Sequence, residues 1–426
     1  MFVERENDLT NWFFTTFSKT TKTSNHLTCM IIKPSFSFIL SLFFTIISFG
    51  QKLDFKTGTI MQQNFFDTIP FELVRNKIII TVKVNGVNKR FIFDTGSVLA
   101  ISDELQSSMN YAKLGAVTVD DVNGKSSSAK IVSVKELQIG QLTFQDIPSV
   151  VMDLKLTYPI NCLNCEGIVG SNVFRNCIVS IDLNHKVIIL TDSLPNLALQ
   201  NAYQTPMSVN KIGKPYLQIH LDNNIDFEGL FDSGSDKFMS ISDKIYDKEI
   251  KKASAILLNE GYGITSIGIN GITAAENKNR VLIKQVKFGD AIINNVITIE
   301  SKSTKNAIGI QLAEYGTITL DYINKVFYFA PLKQVQQYKN QKTLGLKDIP
   351  EKNFYSVAVV WTNTQAEKAG LKTGFQILKI NDQDFTNKTP ENDCKLALAD
   401  FFKNPKINLT YKDDKGVVKN IELTEE

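Results

Sequence analysis

Two short acidic motifs in this chain could perform hydrolysis together. They are Asp94-Thr95-Gly96-Ser97 and Asp232-Ser233-Gly234-Ser235, and each follows an apolar run typical of a strand. Two carboxylates brought face to face cannot both stay ionised, so they share one proton. One can then act as general base on a water while the other, protonated, polarises and later protonates an amide. This chemistry requires no cofactor, metal ion or nucleophilic side chain.

The glycine of each motif indicates how the acids are held. A carboxylate at the end of a strand, followed by a small hydroxyl residue and glycine, sits on a tight turn that another segment can approach closely. A Cβ at Gly96 or Gly234 would obstruct the turn or the facing motif. We therefore expect two elbows that meet across one groove, with Asp94 and Asp232 as the catalytic pair.

The surroundings of the two acids repeat in the same order, which predicts a duplicated unit. The acids lie 232 − 94 = 138 residues apart. Each is preceded by a strand and a turn, and each is followed by an Asn-Gly turn, an apolar-apolar-Gly motif and a final strand pair. The matching segments are Asn123-Gly124 with Asn270-Gly271, Ile168-Val169-Gly170 with Ala307-Ile308-Gly309, and residues 181–190 with residues 320–329.

At these residues the chain resembles the pepsin and retropepsin superfamily, most closely the bacterial retropepsin-like proteins with a trailing PDZ domain. The resemblance covers roughly residues 76–331. It implies an aspartic endopeptidase acting on polypeptide substrates, with its cleft between two lobes. It further implies that Thr95 and Ser233 buttress the acids and that a hairpin flap near Asn123-Gly124 closes on substrate.

Short strands with turn signals predict a mainly β fold, a duplicated pair of β-barrels or sandwiches. We expect a first lobe over residues 70–195 and a second over residues 210–332. Residues 194–211 are expected to carry the chain between the lobes. Residues 331–342, polar and glutamine-rich, are typical of a short helix or a linker.

The C-terminal residues 341–426 are similar to a PDZ domain, a small α+β module. The resemblance implies that Leu344-Gly345-Leu346 forms a carboxylate-binding loop, and that the adjoining strand edge accepts a peptide or a free C-terminus by β-addition. Two departures weaken that peptide role: Thr343 replaces the first glycine of the loop, and Phe375 stands where the family usually has aspartate. A module that only orients the catalytic lobes is the alternative.

Residues 1–50 are interpreted as an N-terminal extension and a signal peptide. A basic start at Lys33, an apolar run over residues 36–47 and small residues before Gln51 fit a secretory signal, with translation starting at Met30 as one reading. The protein is therefore expected to be exported, periplasmic, or membrane-associated if the segment stays uncleaved. The 47 basic and 44 acidic residues give a formal charge of +3, which offers no argument for a nucleic-acid partner.

The cysteines allow two readings. Cys162 and Cys165 form a lone C-x-x-C without the further ligands of a zinc site. In an oxidising compartment, two of the three clustered cysteines, Cys162, Cys165 and Cys177, could form a disulfide. Ordinary reduced cysteines are the alternative.

Other functions find less support. His185 and His220 occur without an H-E-x-x-H motif or a G-x-S-x-G elbow, which disfavours a metal or serine hydrolase. A non-catalytic scaffold that binds peptides through the C-terminal module remains the alternative reading. Asp236, next to the second elbow, either shifts the titration of the acid pair or is a solvated turn residue.

Overall fold

The computed structural model describes residues 54–426, except residues 121–125, 156–157, 223–224, 248–254, 265–266, 269–270, 273, 303, 340–341, 351–353 and 388. The described residues belong to one compact unit. The predicted signal segment and the Asn123-Gly124 turn lie outside them. Among the described residues, no helix has the length and apolar character needed to cross a membrane.

The first lobe is built almost entirely from strands. They are β1 (Thr59–Ile60), β2 (Phe66–Pro70), β3 (Glu72–Val74), β4 (Lys77–Val84), β5 (Val87–Asp94), β6 (Ala100–Ile101), β7 (Lys113–Asp120), β8 (Ser126–Ile139), β9 (Leu142–Val151), β10 (Gly167–Gly170), β11 (Ile178–Asp182) and β12 (Val187–Thr191). Helix α1 (Asp103–Met109) begins after Ser102, whose side chain caps it. Short 3-10 turns cover Ile160–Leu163, Ser171–Phe174 and Leu194–Asn196.

The second lobe repeats this order. Its strands are β13 (Tyr203–Val209), β14 (Pro215–Leu221), β15 (Asp226–Asp232), β16 (Met239–Ser242), β17 (Ala255–Gly263), β18 (Ile267–Gly268), β19 (Gly271–Ile272), β20 (Glu276–Phe288), β21 (Ala291–Ser301), β22 (Ala307–Gly309), β23 (Gly316–Asp321), β24 (Val326–Pro331) and β25 (Val335–Gln337). The short helix α2 (Asp243–Ile245) and a 3-10 turn over Ile310–Glu314 complete it.

The predicted duplication is visible in the strand pairing. In the first lobe β4 and β5 form an antiparallel hairpin, and β10 pairs with β5 in parallel. In the second lobe β14 and β15 form the hairpin, and β22 pairs with β15 in parallel. The glycines that follow β8 and β20, Gly140 and Gly289, have the same positive φ of 59°. The fold is therefore mainly β and two-lobed, as expected.

The two lobes share one six-stranded antiparallel sheet behind the elbows. Its order is β2, β12, β11, β23, β24, β13. The lobes meet at β11 and β23, where Ile178 pairs with Asp321. A single apolar cluster also includes side chains of both lobes, among them Phe93 and Phe231. This shared sheet and core fix the elbows relative to each other.

Two connecting segments differ from the expectation. Residues 203–209, within the predicted interlobe connection, form β13 and pair with β24. Residues 335–337, expected in a short helix or linker, form β25 and pair in parallel with β21. The sheet partners of these segments, β24 and β21, are distant in sequence. Pairing with them determines the strand conformation where the local preference for a strand is weak.

The C-terminal module has its own apolar core. Its elements are β26 (Leu346–Pro350), β27 (Tyr355–Trp361), α3 (Gln365–Lys368), β28 (Gln376–Ile380), β29 (Gln383–Asp384), α4 (Pro390–Leu398), a 3-10 turn over Phe401–Lys403, β30 (Lys406–Lys412) and β31 (Val418–Thr424). Phe375, one of the two departures noted in the sequence, is a core residue and stacks on Tyr411 with ring centroids 5.8 Å apart.

The module pairs directly with the second lobe. Strand β27 lies antiparallel to β17, with Gly261 opposite Trp361 and Gly263 opposite Val359. Trp361 is 1% exposed, and it packs with Val359 of its own strand and with Ile299 of the second lobe. A Cβ on Gly261 would lie 2.8 Å from Val359, and one on Gly263 would overlap the backbone of β27. The two glycines therefore let β27 approach closely.

A disulfide ties the module to the first lobe. Cys162 bonds to Cys394 on α4, and Cys165 and Cys177 are free and buried. Neither reading of the clustered cysteines was right, because the partner of Cys162 lies 232 residues away in sequence. Burial raises the pKa of both free thiols to about 12, which keeps them protonated and unreactive.

Polar contacts accompany the disulfide. The Arg75 guanidinium lies 3.6 Å from the carboxylate of Asp400, and the Tyr158 hydroxyl donates to Asp393 at 2.9 Å. The module thus contacts the first lobe through side chains and the second lobe through a strand.

Candidate active site

The two acids stand at equivalent points of the two lobes. Asp94 is the last residue of β5 and lies opposite Gly170 in the parallel ladder with β10. Asp232 is the last residue of β15 and lies opposite Gly309 of β22. Both apolar-apolar-Gly motifs therefore support the elbows, as the repeat predicted. Strands β5 and β15 end at the acids, and each acid side chain faces the elbow of the other lobe.

The elbow glycines bring the two turns into contact. A Cβ on Gly96 would lie 2.5 Å from the carboxylate of Asp232, and a Cβ on Gly234 would overlap the carboxylate of Asp94. Each glycine is thus packed against the acid of the opposite lobe. Any larger residue at either position would push the two carboxylates apart.

Hydroxyl groups lock the elbows together across the lobe boundary. The Thr95 backbone N–H donates to Ser233 Oγ at 2.9 Å, and the Ser233 N–H donates to Thr95 Oγ1 at 3.0 Å. Thr95 Oγ1 donates to the Phe231 carbonyl at 2.9 Å, and Ser233 Oγ donates to the Phe93 carbonyl at 3.3 Å. Serine at 233 therefore makes the same reciprocal bonds as threonine at 95. All four groups are buried and satisfied.

The last serine of each motif closes its turn through the backbone. The Ser97 N–H donates to the Asp94 carbonyl at 3.1 Å, and the Ser235 N–H donates to the Asp232 carbonyl at 3.0 Å. The Ser97 carbonyl in turn accepts from Ser171, just after Gly170. These residues shape the elbow and do not themselves reach the carboxylates.

The carboxylates form one electrostatic unit. The Gly96 N–H donates to Asp94 Oδ1 at 2.8 Å, and the Gly234 N–H donates to Asp232 Oδ1 at 2.9 Å. The two acids also interact electrostatically. Burial, and then the nearby charge of Asp94, raise the pKa of Asp232 to about 7. The pair therefore carries one proton below about neutral pH.

Asp236 is solvent-exposed, at the rim of the second elbow. Partial loss of water raises the pKa of Asp236, but the charges of Lys77, Lys237 and Lys347 outweigh this and lower it below its usual value. Asp236 is thus an ionised residue among lysines. Lys347 belongs to β26, so the C-terminal module contributes charge near this rim.

Two lysines beside the elbows were not singled out from the sequence. The Lys77 ammonium donates to the carbonyl of Gly234, across the lobe boundary. Lys214 is 1% exposed and interacts electrostatically with both Asp94 and Asp232. Their spacing carried a signal, because Lys77 lies 94 − 77 = 17 residues before its acid and Lys214 lies 232 − 214 = 18 residues before its own.

The remaining predicted site residues belong to the C-terminal module and to the Asn123-Gly124 turn. Leu344 and Leu346 are buried in the core of the module, and the Gly345 N–H donates to Thr343 Oγ1 at 3.1 Å. The Asn123-Gly124 turn lies outside the described residues, although β7 and β8, which lead to it, form the expected hairpin.

The two histidines stand on the surface, paired with acids. His185 Nδ1 lies 2.8 Å from Asp182, and His220 Nδ1 lies 2.8 Å from Asp226. Neither hydrogen bond joins a histidine to an elbow residue. The two side chains belong to polar surface turns and strands.

Comparison with known proteins supports the first lobe in particular. The family model described as aspartyl protease matches residues 80–173. A solved structure similar to this chain is the crystal structure of Basic 7S globulin from soybean, at 10% identity and a TM-score of 0.39, covering 62% of this chain and 94% of that chain. No curated protein shows significant sequence similarity to the chain. Residues 80–173, which contain the first elbow, are therefore similar to the aspartyl protease family.

Proposed function

We propose that this protein is an aspartic endopeptidase in which Asp94 and Asp232 activate a water to hydrolyse peptide bonds. One observation carries the proposal: two reciprocal elbows meet so closely that the glycine of each turn packs against the carboxylate of the other. The aspartyl protease match over residues 80–173 supports the same chemistry. Polypeptides are the proposed substrates, because the acids lie between two lobes of extended strands.

The reaction follows from a pair that holds one proton. The ionised carboxylate takes a proton from water as the water oxygen attacks the carbonyl carbon. The protonated carboxyl donates to the carbonyl oxygen, which gives a tetrahedral diol. The C–N bond then breaks: the proton taken from water goes to the departing nitrogen, and one hydroxyl of the diol returns its proton to the other carboxylate. The products are one carboxylic acid and one amine, and the pair again holds a single proton.

The elbows hold the two carboxylates in the fixed orientation that this reaction needs. Each carboxylate accepts a backbone N–H within its own turn and is packed against the glycine of the other turn. The side chains are therefore oriented before substrate arrives, which lowers the barrier by preorganisation. Because the pKa of Asp232 is raised to about 7, the pair loses its proton above neutral pH, and activity should fall there.

We further propose that the protein is exported, as the predicted signal at residues 30–50 suggests. The Cys162–Cys394 disulfide supports an oxidising compartment, because such bonds persist outside the reducing cytosol. A periplasmic or membrane-associated location follows from this reading.

The C-terminal module is proposed to bind peptide or to orient the lobes. Its contacts with both lobes favour the orienting role, while the edge of β26 remains the proposed place for peptide addition. In the alternative, non-catalytic reading, the whole chain is a peptide-binding scaffold. The reciprocal elbows favour catalysis, because a scaffold has no need for two acids that each pack against the turn of the other lobe.

The test uses the chain from Gln51 to Glu426 and an unfolded protein substrate. We expect Asp94→Asn and Asp232→Asn to lower kcat/KM by about 100- to 10,000-fold, because each removes one partner of the acid–base pair. Asp182→Asn is the matched control, since Asp182 is an acid that only holds a surface turn. Wild-type turnover in either elbow variant would refute the proposed function.

A further inference from the structure

Lys214 is a buried charge that the hydrolytic mechanism does not use. It follows the turn between β13 and β14, where its backbone N–H donates to Asn210 Oδ1 at 2.9 Å. The preceding Gly213 has a positive φ of 95°, and a Cβ there would lie 2.9 Å from the backbone of Asn172. The second-lobe turn is therefore packed against the first lobe, directly after Gly170, and it delivers Lys214 to the acids.

Lys77 is the counterpart of Lys214 in the first lobe. Lys77 is the first residue of β4 and Lys214 immediately precedes β14, and each of these strands forms the hairpin with the elbow strand of its lobe. Lys77 crosses to the second lobe and donates to the carbonyl of Gly234. The duplicated unit thus sends one lysine from each lobe toward the elbow of the other.

The charges around Lys214 are few. Asp94 at the end of β5 and Asp232 at the end of β15 both favour its charged form, and Lys305, just before β22, disfavours it. Lys77 acts on Asp232 from the first lobe and lowers the proton affinity of that carboxyl. A pair of acids with one proton has a charge of −1, so one buried ammonium compensates it.

We propose that Lys214, assisted by Lys77, is a positioning residue that sets the pH range over which the acid pair holds a single proton. This inference rests on the proposed function, because the pair must be the catalytic one. Lys214 touches neither water nor substrate in this role. It acts through the carboxylates, whose negative charge it stabilises.

The direction of the effect follows from charge. A cation beside a carboxyl favours the ionised form, so its removal makes the acid pair harder to ionise. Burial lowers the pKa of Lys214 itself to about 8. The ammonium is therefore present throughout the acidic and neutral range, where the pair changes its protonation.

The experiment records kcat/KM against pH for three variants of the mature chain. In Lys214→Met we expect both limbs of the profile to move to higher pH by about one unit, the lower end of the shift caused by a nearby opposite charge. On the acidic limb this is an approximately tenfold loss at fixed pH. Lys214→Arg keeps the charge and should restore the wild-type profile.

Lys211→Met is the matched control, because Lys211 belongs to the same turn but is exposed. Its profile should not move. If Lys214→Met fails to fold, Lys77→Met provides the same test, with a smaller shift in the same direction. An unmoved profile in Lys214→Met, or in Lys77→Met where only that variant folds, would overturn the inference.

The two proposals can fail separately. If Asp94→Asn and Asp232→Asn are inactive and the lysine variants keep the wild-type profile, only the role of Lys214 is wrong. If the aspartate variants stay active, the proposed function itself is wrong. A uniform loss of activity at every pH in Lys214→Met and Lys214→Arg would indicate a purely structural role and would also overturn the inference.

Discussion

The two lobes carry equivalent hairpins with different neighbours. In the first lobe, β7 pairs with β8, and the described residues place no strand along its other edge. In the second lobe, β17 pairs with β20 on one side and with β27 of the C-terminal module on the other. In one copy of the duplicated unit the outer hairpin strand therefore has an unpaired edge among the described residues, and in the other copy that edge pairs with the C-terminal module.

Glycines mark this difference. Gly115 of β7 faces open space, whereas Gly261 and Gly263 of β17 are in tight contact with β27. Glycine thus occurs on an open strand in the first lobe, and in the second lobe it allows β27 to approach β17 closely. Among the described residues, β17 of the second hairpin is paired on both edges and β7 of the first hairpin on one edge only. A flap at the tip of the first hairpin stays a prediction, because that tip lies outside the described residues.

The largest effect is expected when the side chain that fills the interface between β17 and β27 is removed. Trp361→Ala should lower the free energy of unfolding by about 3–5 kcal/mol, as for other buried aromatic truncations. Amide hydrogen exchange in β17 should then rise toward the level of β7. Tyr262→Ala is the control, because that side chain lies on β17 in the same strand pair but is 58% exposed. Unchanged exchange in β17 would show that docking does not depend on Trp361.

Removal of the disulfide should affect the other attachment. Cys394→Ala should cost about 2–4 kcal/mol, the usual contribution of a disulfide. Exchange in β17 should stay low, because the strand pairing with β27 is intact. Cys162→Ala should match it, and the double replacement should cost no more than either single one. An additive loss would mean that the thiols stabilise the fold separately.

The smallest effect is expected from replacing single glycines in the two outer hairpin strands. Gly263→Ala should lower the unfolding free energy by about 1–3 kcal/mol, because its methyl group overlaps the backbone of β27. Gly115→Ala, at an open position of β7, should be neutral. Urea unfolding of both variants measures the difference. Equal effects at the two positions would contradict the tight approach.

Much of the site could be predicted because its parts are local. Each elbow is four consecutive residues after an apolar strand, and the supporting glycine motif follows at nearly constant distance, 170 − 94 = 76 and 309 − 232 = 77 residues. The β4–β5 turn at Asn85 and Gly86 was also readable, since both residues adopt the positive φ that such turns require. The repeat supplied the second copy of every element.

What could not be predicted depends on contacts between distant segments. Nothing near Cys162 in the sequence indicates that its partner is Cys394, because pairing follows from the docking of α4. The pairing of β17 with β27 is equally invisible to local patterns. For Lys214 the sequence offers only its matching distance to the acid in the repeat; its burial follows from the packing of its turn against Asn172. Long-range strand pairs override local preference in these places.

The covalent loop between Cys162 and Cys394 encloses the whole second lobe and most of the module. A single backbone cut anywhere inside it leaves two polypeptides joined through sulfur. Such a molecule would run as one band on a denaturing gel without reductant and as two bands with it. If the chain has the proposed endopeptidase activity and cuts itself in this stretch, the two pieces would stay joined through the disulfide.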